Sequence, residues 1–357
     1  MSSFAARAAA EKLVDAVEIC APTKITDGLS KCVGTHNGHF HCDEAFACGM
    51  LQLVDRFQGR PIVRTRDGAA LEQCEIVVDV GGKFDPEALR FDHHQREFQD
   101  VFFSEDFKTK LSSAGLVYKY FGKEIIQWIA KESQTQVDED VLEVLYKRVY
   151  KNFVEHIDGI DNGIDPYSGE KNYNVSTHLS SRVGSLNPAW NAPAVEDETA
   201  REMEQFKKAV RMTLTEFVDH VVGLLTIWLP AREIVVKAIK ERKEVDASGA
   251  IIKLDGSCPW RSHLFALETE GVDGLKDGDL KYVLYPDSSG AWRVQCVPVE
   301  ESSFTNRQSL PEKYRGVRDD ELSNLWGIPG CIFVHASGFI GGNRTYEGAL
   351  EMAKQSL

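Results

Sequence analysis

The 357-residue sequence holds no uninterrupted apolar run of the ~18 residues that a membrane-spanning helix needs, so no membrane partner is expected. Positive charge is in deficit: 41 Lys and Arg stand against 55 Asp and Glu, a formal net charge of −14. That balance excludes a protein that coats nucleic acid through a broad basic face, which works by counterion release from clustered Lys and Arg. It leaves room for a local anion site, because bound divalent ions reverse the field inside an acid-rich cleft. The eight cysteines include no C-x-x-C pair, which argues against a structural zinc site. With no secretory signal at the start, the scattered thiols point to a reducing, intracellular compartment. Cytoplasm, nucleus and mitochondrion are not separated, since the Ala-rich opening has one Arg7 against Glu11, Asp15 and Glu18, whereas a transit peptide is Arg-rich and poor in acids. No P-loop, G-x-S-x-G elbow or dinucleotide fingerprint occurs. Nothing sets an oligomeric state.

The length exceeds what one hydrophobic core usually serves and predicts two domains. Residues 31–35, 61–67, 75–82 and 88–94 read as strands, the third a continuous apolar run suited to burial on both faces of a parallel sheet. Residues 112–132 and 138–161 carry apolar residues at three- and four-residue spacing and read as amphipathic helices. The expected fold is α/β, with a mainly parallel sheet in an N-terminal domain. The Gly-, Ser-, Asn- and Pro-rich stretch 162–196 reads as a long ordered loop. Residues 198–228 form a helical pattern stopped by Pro230. Beyond it EIVVKAI, AIIKLDG, KYVLYP, WRVQCVPV and CIFVHASGF read as strands and TYEGALEMAKQ as a closing helix, an α+β domain with antiparallel pairing. The expected organisation is an N-terminal extension at 1–30, a metal-binding catalytic domain at 31–196, a connecting helix at 197–230 and a substrate-binding domain at 231–357.

Five of the ten histidines lie between positions 36 and 94. Ligands of open α/β sheets bind beyond the carboxyl ends of the strands, where His36, Asp79 and His93 all fall. An acid closing the run Ile76-Val77-Val78 would cost several kcal/mol if buried unpaired, so Asp79 must meet a cation, a donor or a metal. A salt bridge or loop cap is the plain reading of Asp79 alone. Joined by His36, His41, Asp43 and His93 it reads as a divalent-metal site. More than four such ligands suggest two ions about 3.5–4 Å apart, with Asp79 as the bridging carboxylate and a water as the attacking group. Asp158 and Asp161, three residues apart near a helix end, offer one further ligand, the other holding a histidine tautomer; a solvated acidic turn is the plain reading of either alone. His39 reads as a loop residue.

VGTHNGHFHCDEA, IVVDVGG, RFDHHQREF, KLSSAGLVY, FVEHIDGIDNGI and NLWGIPGCIFVHASGFIGGN, in this order, resemble the DHH phosphoesterase superfamily and, within it, the melanocyte-proliferating-gene family of metal-dependent hydrolase-like proteins. The resemblance runs nearly end to end. It implies a DHH-type two-domain fold with metal ligands His36, His41, Asp43, Asp79, His93 and Asp158 or Asp161. It implies that His94 contacts the scissile phosphate or its leaving group. The superfamily commonly has His-x-x-x-Asp-x-Asp in its first motif; here His36 is followed by His41 and Asp43, one residue longer and with His for Asp. The nitrogen ligand moves preference from Mg toward Mn, Fe or Zn, so the expected cofactor is Mn, with Mg, Zn, Fe or Co as alternatives.

HASGFIGGN looks like a relative of the superfamily's Gly-rich substrate loop, with His335, Gly341 and Gly342 as anion contacts; a simple strand-to-helix turn is the other reading. Arg182, Arg293, Arg307, Arg315 and Arg318 are candidate phosphate clamps, because planar guanidinium matches phosphate oxygens. The implied activity is 3′–5′ exonucleolytic hydrolysis of RNA or a short oligonucleotide. The alternatives are hydrolysis of pyrophosphate, polyphosphate or a cyclic dinucleotide, and a non-catalytic regulatory protein that keeps the metal fold.

Overall fold

The computed structural model describes residues 3–21 and 31–357. The chain divides into two compact units, Met1–Leu225 and Thr226–Leu357.

In the first unit the elements run α1 (Ser3–Ala16), β1 (Ile19–Cys20), β2 (Val33–Thr35), α2 (Cys42–Leu51), β3 (Ile62–Arg64), α3 (Gly68–Gln73), β4 (Ile76–Val78), β5 (Phe84–Asp85), β6 (Arg90–Phe91), α4 (Ser113–Glu132), α5 (Glu139–Val149), α6 (Glu155–Asp161), α7 (Leu179–Gly184) and α8 (Glu198–Gly223). The six strands order as β1-β3-β2-β4-β6-β5. Every pair is parallel except β5 with β6, so the carboxyl ends of β2, β3, β4 and β6 share one edge. Short apolar strands buried throughout, as Ile76–Val78 is, need cover on both faces, which parallel sheets receive from helices. α2 is buried along its whole length, its first-turn acids Asp43 and Glu44 included. Its Phe46 lies 5.0 Å from Phe217 of α8 and 5.5 Å from Phe153, ring centre to ring centre.

Of the stretch 1–30, expected as an extension, the segments 3–16 and 19–20 contribute to this unit. The small-residue face of α1, Ala6, Ala10 and Val14, is fully buried, and β1 adds an edge strand beside β3. The helix expected over 138–161 is interrupted by a π turn at Tyr150–Val154 between α5 and α6. The stretch read as one long loop contains α7.

The second unit comprises α9 (Leu229–Lys240), α10 (Arg242–Val245), β7 (Ile251–Lys253), α11 (Trp260–Thr269), β8 (Tyr282–Pro286), β9 (Trp292–Cys296), α12 (Asp319–Trp326), β10 (Cys331–Val334), β11 (Ile340–Asn343) and α13 (Tyr346–Lys354). EIVVKAI is therefore helix, where a strand was expected. Its β-branched residues suggested a strand, but Ala231, Val235, Ala238 and Ile239 recur at helical spacing and are buried. Pro230 does not end helical structure. It occupies the first turn of α9, where no backbone N–H is needed. The sheet orders as β10-β11-β9-β8-β7, antiparallel except for β7 with β8, a parallel pair where antiparallel pairing was expected. Alternation along β8 sends Tyr282 and Leu284 toward Ala349 and Met352 of α13, and Val283 toward Val235 and Leu264.

Candidate metal centre

Sharp exits from the parallel strands gather the acids and histidines at the carboxyl edge. Asp79 follows β4 directly and takes φ +59°, and Gly81 and Gly82 continue the turn at positive φ. A non-glycine residue in the left-handed region is strained, and such strain concentrates at functional sites. His36 follows β2, Asp92 and His93 follow β6, Asp43 and Glu44 open α2, and Asp161 closes α6.

The distances define one cluster. Nε2 of His36 lies 3.0 Å from Glu44 Oε1 and 3.3 Å from Asp79 Oδ2. Nε2 of His93 lies 3.3 Å from Asp79 Oδ1, 3.2 Å from Asp161 Oδ2 and 3.9 Å from Asp43 Oδ2. Three overlapping sets could each hold an ion: His36, His41, Glu44 and Asp79; Asp79, His93 and His94; and Asp43, His93 and Asp161. Nδ1 of His36 lies 3.2 Å from the carbonyl of Asn37, a placement that protonates Nδ1 and leaves Nε2 as the ligand atom.

Electrostatics point the same way. Burial alone would raise the Asp79 carboxyl, but the imidazoles of His36 and His93 beside it hold it below the usual range. Burial works against the charged form of His36, yet Asp79 and Glu44 push it up to about 10. Asp43 is fully buried, and that burial, followed by repulsion from Asp79, Asp161 and Glu44, drives its carboxyl well above the ordinary value. Among the described residues neither oxygen of Asp43 has a hydrogen-bond partner, nor does Glu44 Oε2. Both ring nitrogens of His93 lack one too, close as the carboxylates are, because none lies in hydrogen-bonding geometry. Buried polar atoms left so are costly, and a divalent cation satisfies acids and imidazoles together. The donor set fits a metal centre.

The structure separates the two acids of α6. Asp161 joins the cluster, while Asp158 is held elsewhere. Asp158 Oδ1 accepts from Ser112 N at 3.0 Å, Ser112 Oγ at 2.7 Å and Gly115 N at 3.0 Å, and Oδ2 accepts from Tyr150 OH at 2.8 Å. Asp158 thus secures the start of α4, and the next residue there, Ser113, donates to Asp79 Oδ1 at 2.9 Å. The signal for Glu44, absent from the sequence reading, is a His41-x-x-Glu44 spacing at a helix start, where Glu44 Oε1 accepts from His41 N at 2.8 Å.

His94 is exposed, with Nδ1 donating to Asp92 Oδ1 at 2.7 Å; that hydrogen bond raises its pKa. A cavity of about 480 Å³ is lined by His39, His41, Asp79, His93, His94, Lys110, Asp161 and Ser180. A second, of about 300 Å³, shares His41, Asp79 and His94 and adds His36, Arg66 and Asp92. Lys110 and Arg66 form no ion pair among the described residues and border the centre, whereas Arg182, in the same unit, lines neither cavity.

Arg182 pairs with Glu216, Arg293 with Asp287, and Arg307 is buried in a two-pronged pair with Glu268 at 2.6 and 2.7 Å. Arg315 Nε donates to the Leu310 carbonyl at 2.9 Å, and Arg318 is exposed. Of these, only Arg182 belongs to the first unit. His335 turns its Nδ1 to Ser337 Oγ at 2.9 Å. Gly341 and Gly342 lie within β11 rather than in a turn, and a Cβ on Gly342 would sit 2.5 Å from Arg293 Nη1.

Residues 32–357 match the family described as "Uncharacterised protein family (UPF0160)". The chain is 48% identical to "MYG1 protein C27H6.8" of Caenorhabditis elegans, over 92% of this chain and 96% of that protein. It is 47% identical to "MYG1 exonuclease" of Homo sapiens, over 91% of this chain and 85% of that protein. It is also 47% identical to "MYG1 protein C694.04c" of Schizosaccharomyces pombe, over 91% and 97%. No solved structure matches the chain.

Proposed function

The chain belongs to this family, and from that membership we propose that it is a metal-dependent phosphodiester hydrolase of the DHH phosphoesterase type, a 3′–5′ exonuclease acting on RNA or short oligonucleotides. The observation that carries the reading is the bridging posture of Asp79, whose two oxygens face two different imidazoles across the cluster. Relatives from Mus musculus and Homo sapiens, 46% and 47% identical, are named exonucleases.

His36, Glu44 and Asp79, with His41, would hold one divalent ion, and Asp43, His93 and Asp161 with Asp79 the other. Two such ions, Mn first among Mn, Mg, Zn, Fe and Co, would supply Lewis acidity to the phosphoryl oxygens and a water acidic enough to attack at neutral pH. The residues provide the rest. Asp79 is kept ionised by its histidines and fixed by Ser113. His94, anchored through Nδ1 by Asp92, presents Nε2 to a phosphate or leaving oxygen as a hydrogen-bond donor or acid. Lys110 and Arg66 border the cavities and would neutralise the remaining phosphate charge.

The test is a substrate panel on metal-stripped protein reloaded separately with Mn, Mg, Zn and Co. Short single-stranded RNA carrying a 5′ label should shorten stepwise from its 3′ end. Cleavage of pyrophosphate or a cyclic dinucleotide with the RNA left intact would replace this reading by a small-molecule phosphohydrolase.

A further inference from the structure

The loop between β2 and α2 carries His36 and takes a left-handed turn at Gly38, φ +86°. Its backbone is held by a side chain from the neighbouring strand. Arg64, the last residue of β3, is fully buried. Its Nε donates to the carbonyl of His36 at 3.1 Å and its Nη2 to the carbonyl of Gly38 at 2.9 Å. Nη1 meets Oε1 of Glu202, on α8, at 2.6 Å, and that same oxygen accepts from Gly38 N at 2.8 Å. The guanidinium stands 4.3 Å from the ring centre of Phe206, one turn along α8 from Glu202.

A buried guanidinium is tolerated only when charge and donors are satisfied, and these contacts satisfy them. They also occupy the carbonyls of His36 and Gly38 and the amide of Gly38. The planar fork makes this arrangement; a lysine ammonium, a point donor, cannot span two carbonyls and a carboxylate in fixed directions. We propose that Arg64 and Glu202 form a positioning pair for the metal centre, fixing the His36 backbone and so aiming Nε2 of His36 at Asp79 and Glu44. The inference rests on the metal-centre part of the proposed function. A role in fold stability alone is the competing account.

The experiment titrates metal-stripped full-length protein with Co(II) and Mn(II), following the visible absorption of Co(II) and the dissociation constant of each ion. Arg64→Lys and Glu202→Ala should weaken binding by about 10- to 100-fold, the usual effect of losing a group that orients a ligand, and should alter the Co(II) spectrum. Metal-free melting temperatures should fall, because each variant disturbs a buried ion pair, but the proteins should stay folded at the titration temperature. Glu202→Gln, which keeps an oxygen for both donors, should restore affinity and spectrum. Folded Arg64→Lys and Glu202→Ala proteins with wild-type affinity and spectrum overturn the proposal. If Arg64→Lys does not fold, Glu202→Ala decides, because Glu202 sits on a partly exposed helix face. Turnover does not enter the readout. Protein that binds ions in this pattern yet cleaves no phosphodiester fails the proposed activity and leaves the positioning role intact; a wild type that takes up neither ion removes both.

Discussion

Asp79 presents Oδ2 to Nε2 of His36 and Oδ1 to Nε2 of His93, each at 3.3 Å. A carboxylate facing two imidazoles from different strands is placed to bridge two ions. Asp79→Ala should lose one or both ions by elemental analysis and at least about 100-fold in hydrolysis, since even indirect support of a metal ligand is worth about 10- to 100-fold. Full metal content with normal turnover would sink the two-ion reading.

His94 touches the acids only at its Nδ1 edge and is exposed. His94→Ala should keep its metal and lose rate by about 10²–10⁴-fold, the range for an acid–base group. If metal is lost instead, His94 is a ligand and its assignment to the phosphate is wrong.

Gly115 passes so close to Asp158 that a Cβ there would lie 2.3 Å from Oδ2. Gly115→Ala must push Asp158 off the start of α4, where Ser113 steadies Asp79. A loss of about 1–3 kcal/mol in urea unfolding is expected, the usual cost of overpacking. Unchanged stability would mean that α4 shifts freely.

Burial pushes the Asp158 carboxyl up to about 7, against the pull of four donors. An unfolded Asp titrates near ~3.9. The folded state therefore holds a proton across that window which the unfolded state releases. The stability this group contributes is full below about pH 4 and is lost as pH rises through about 7. Asp158→Asn, which imitates the protonated acid, should remove that component in metal-free protein. The urea midpoint of the wild type should fall more steeply from pH 5 to pH 8 than that of the variant; parallel slopes would count against the raised value.

Residues with a local signature were readable in the chain. Asp79 after Ile76-Val77-Val78, His36 after β2 and His93 after β6 announce themselves as polar groups leaving buried strands. The Asp158 and Asp161 pair was left open because both share a helix face, and only the packing of Ser112, Gly115 and Tyr150 around Asp158 tells them apart. EIVVKAI misled because β-branched composition outweighed a four-residue burial period that depends on α11 and β7.

By itself, the sequence determined that acids and histidines would gather where parallel strands end, because apolar period and strand polarity are local properties of the chain. The tertiary structure alone decided which of them face one another. Glu44 enters the cluster, Asp158 leaves it, and Arg64 reaches across from β3 to grip the His36 loop against α8. Those are contacts between segments far apart in the chain, set by packing distance and by the need to pair buried charge, neither of which is written in any one stretch of residues.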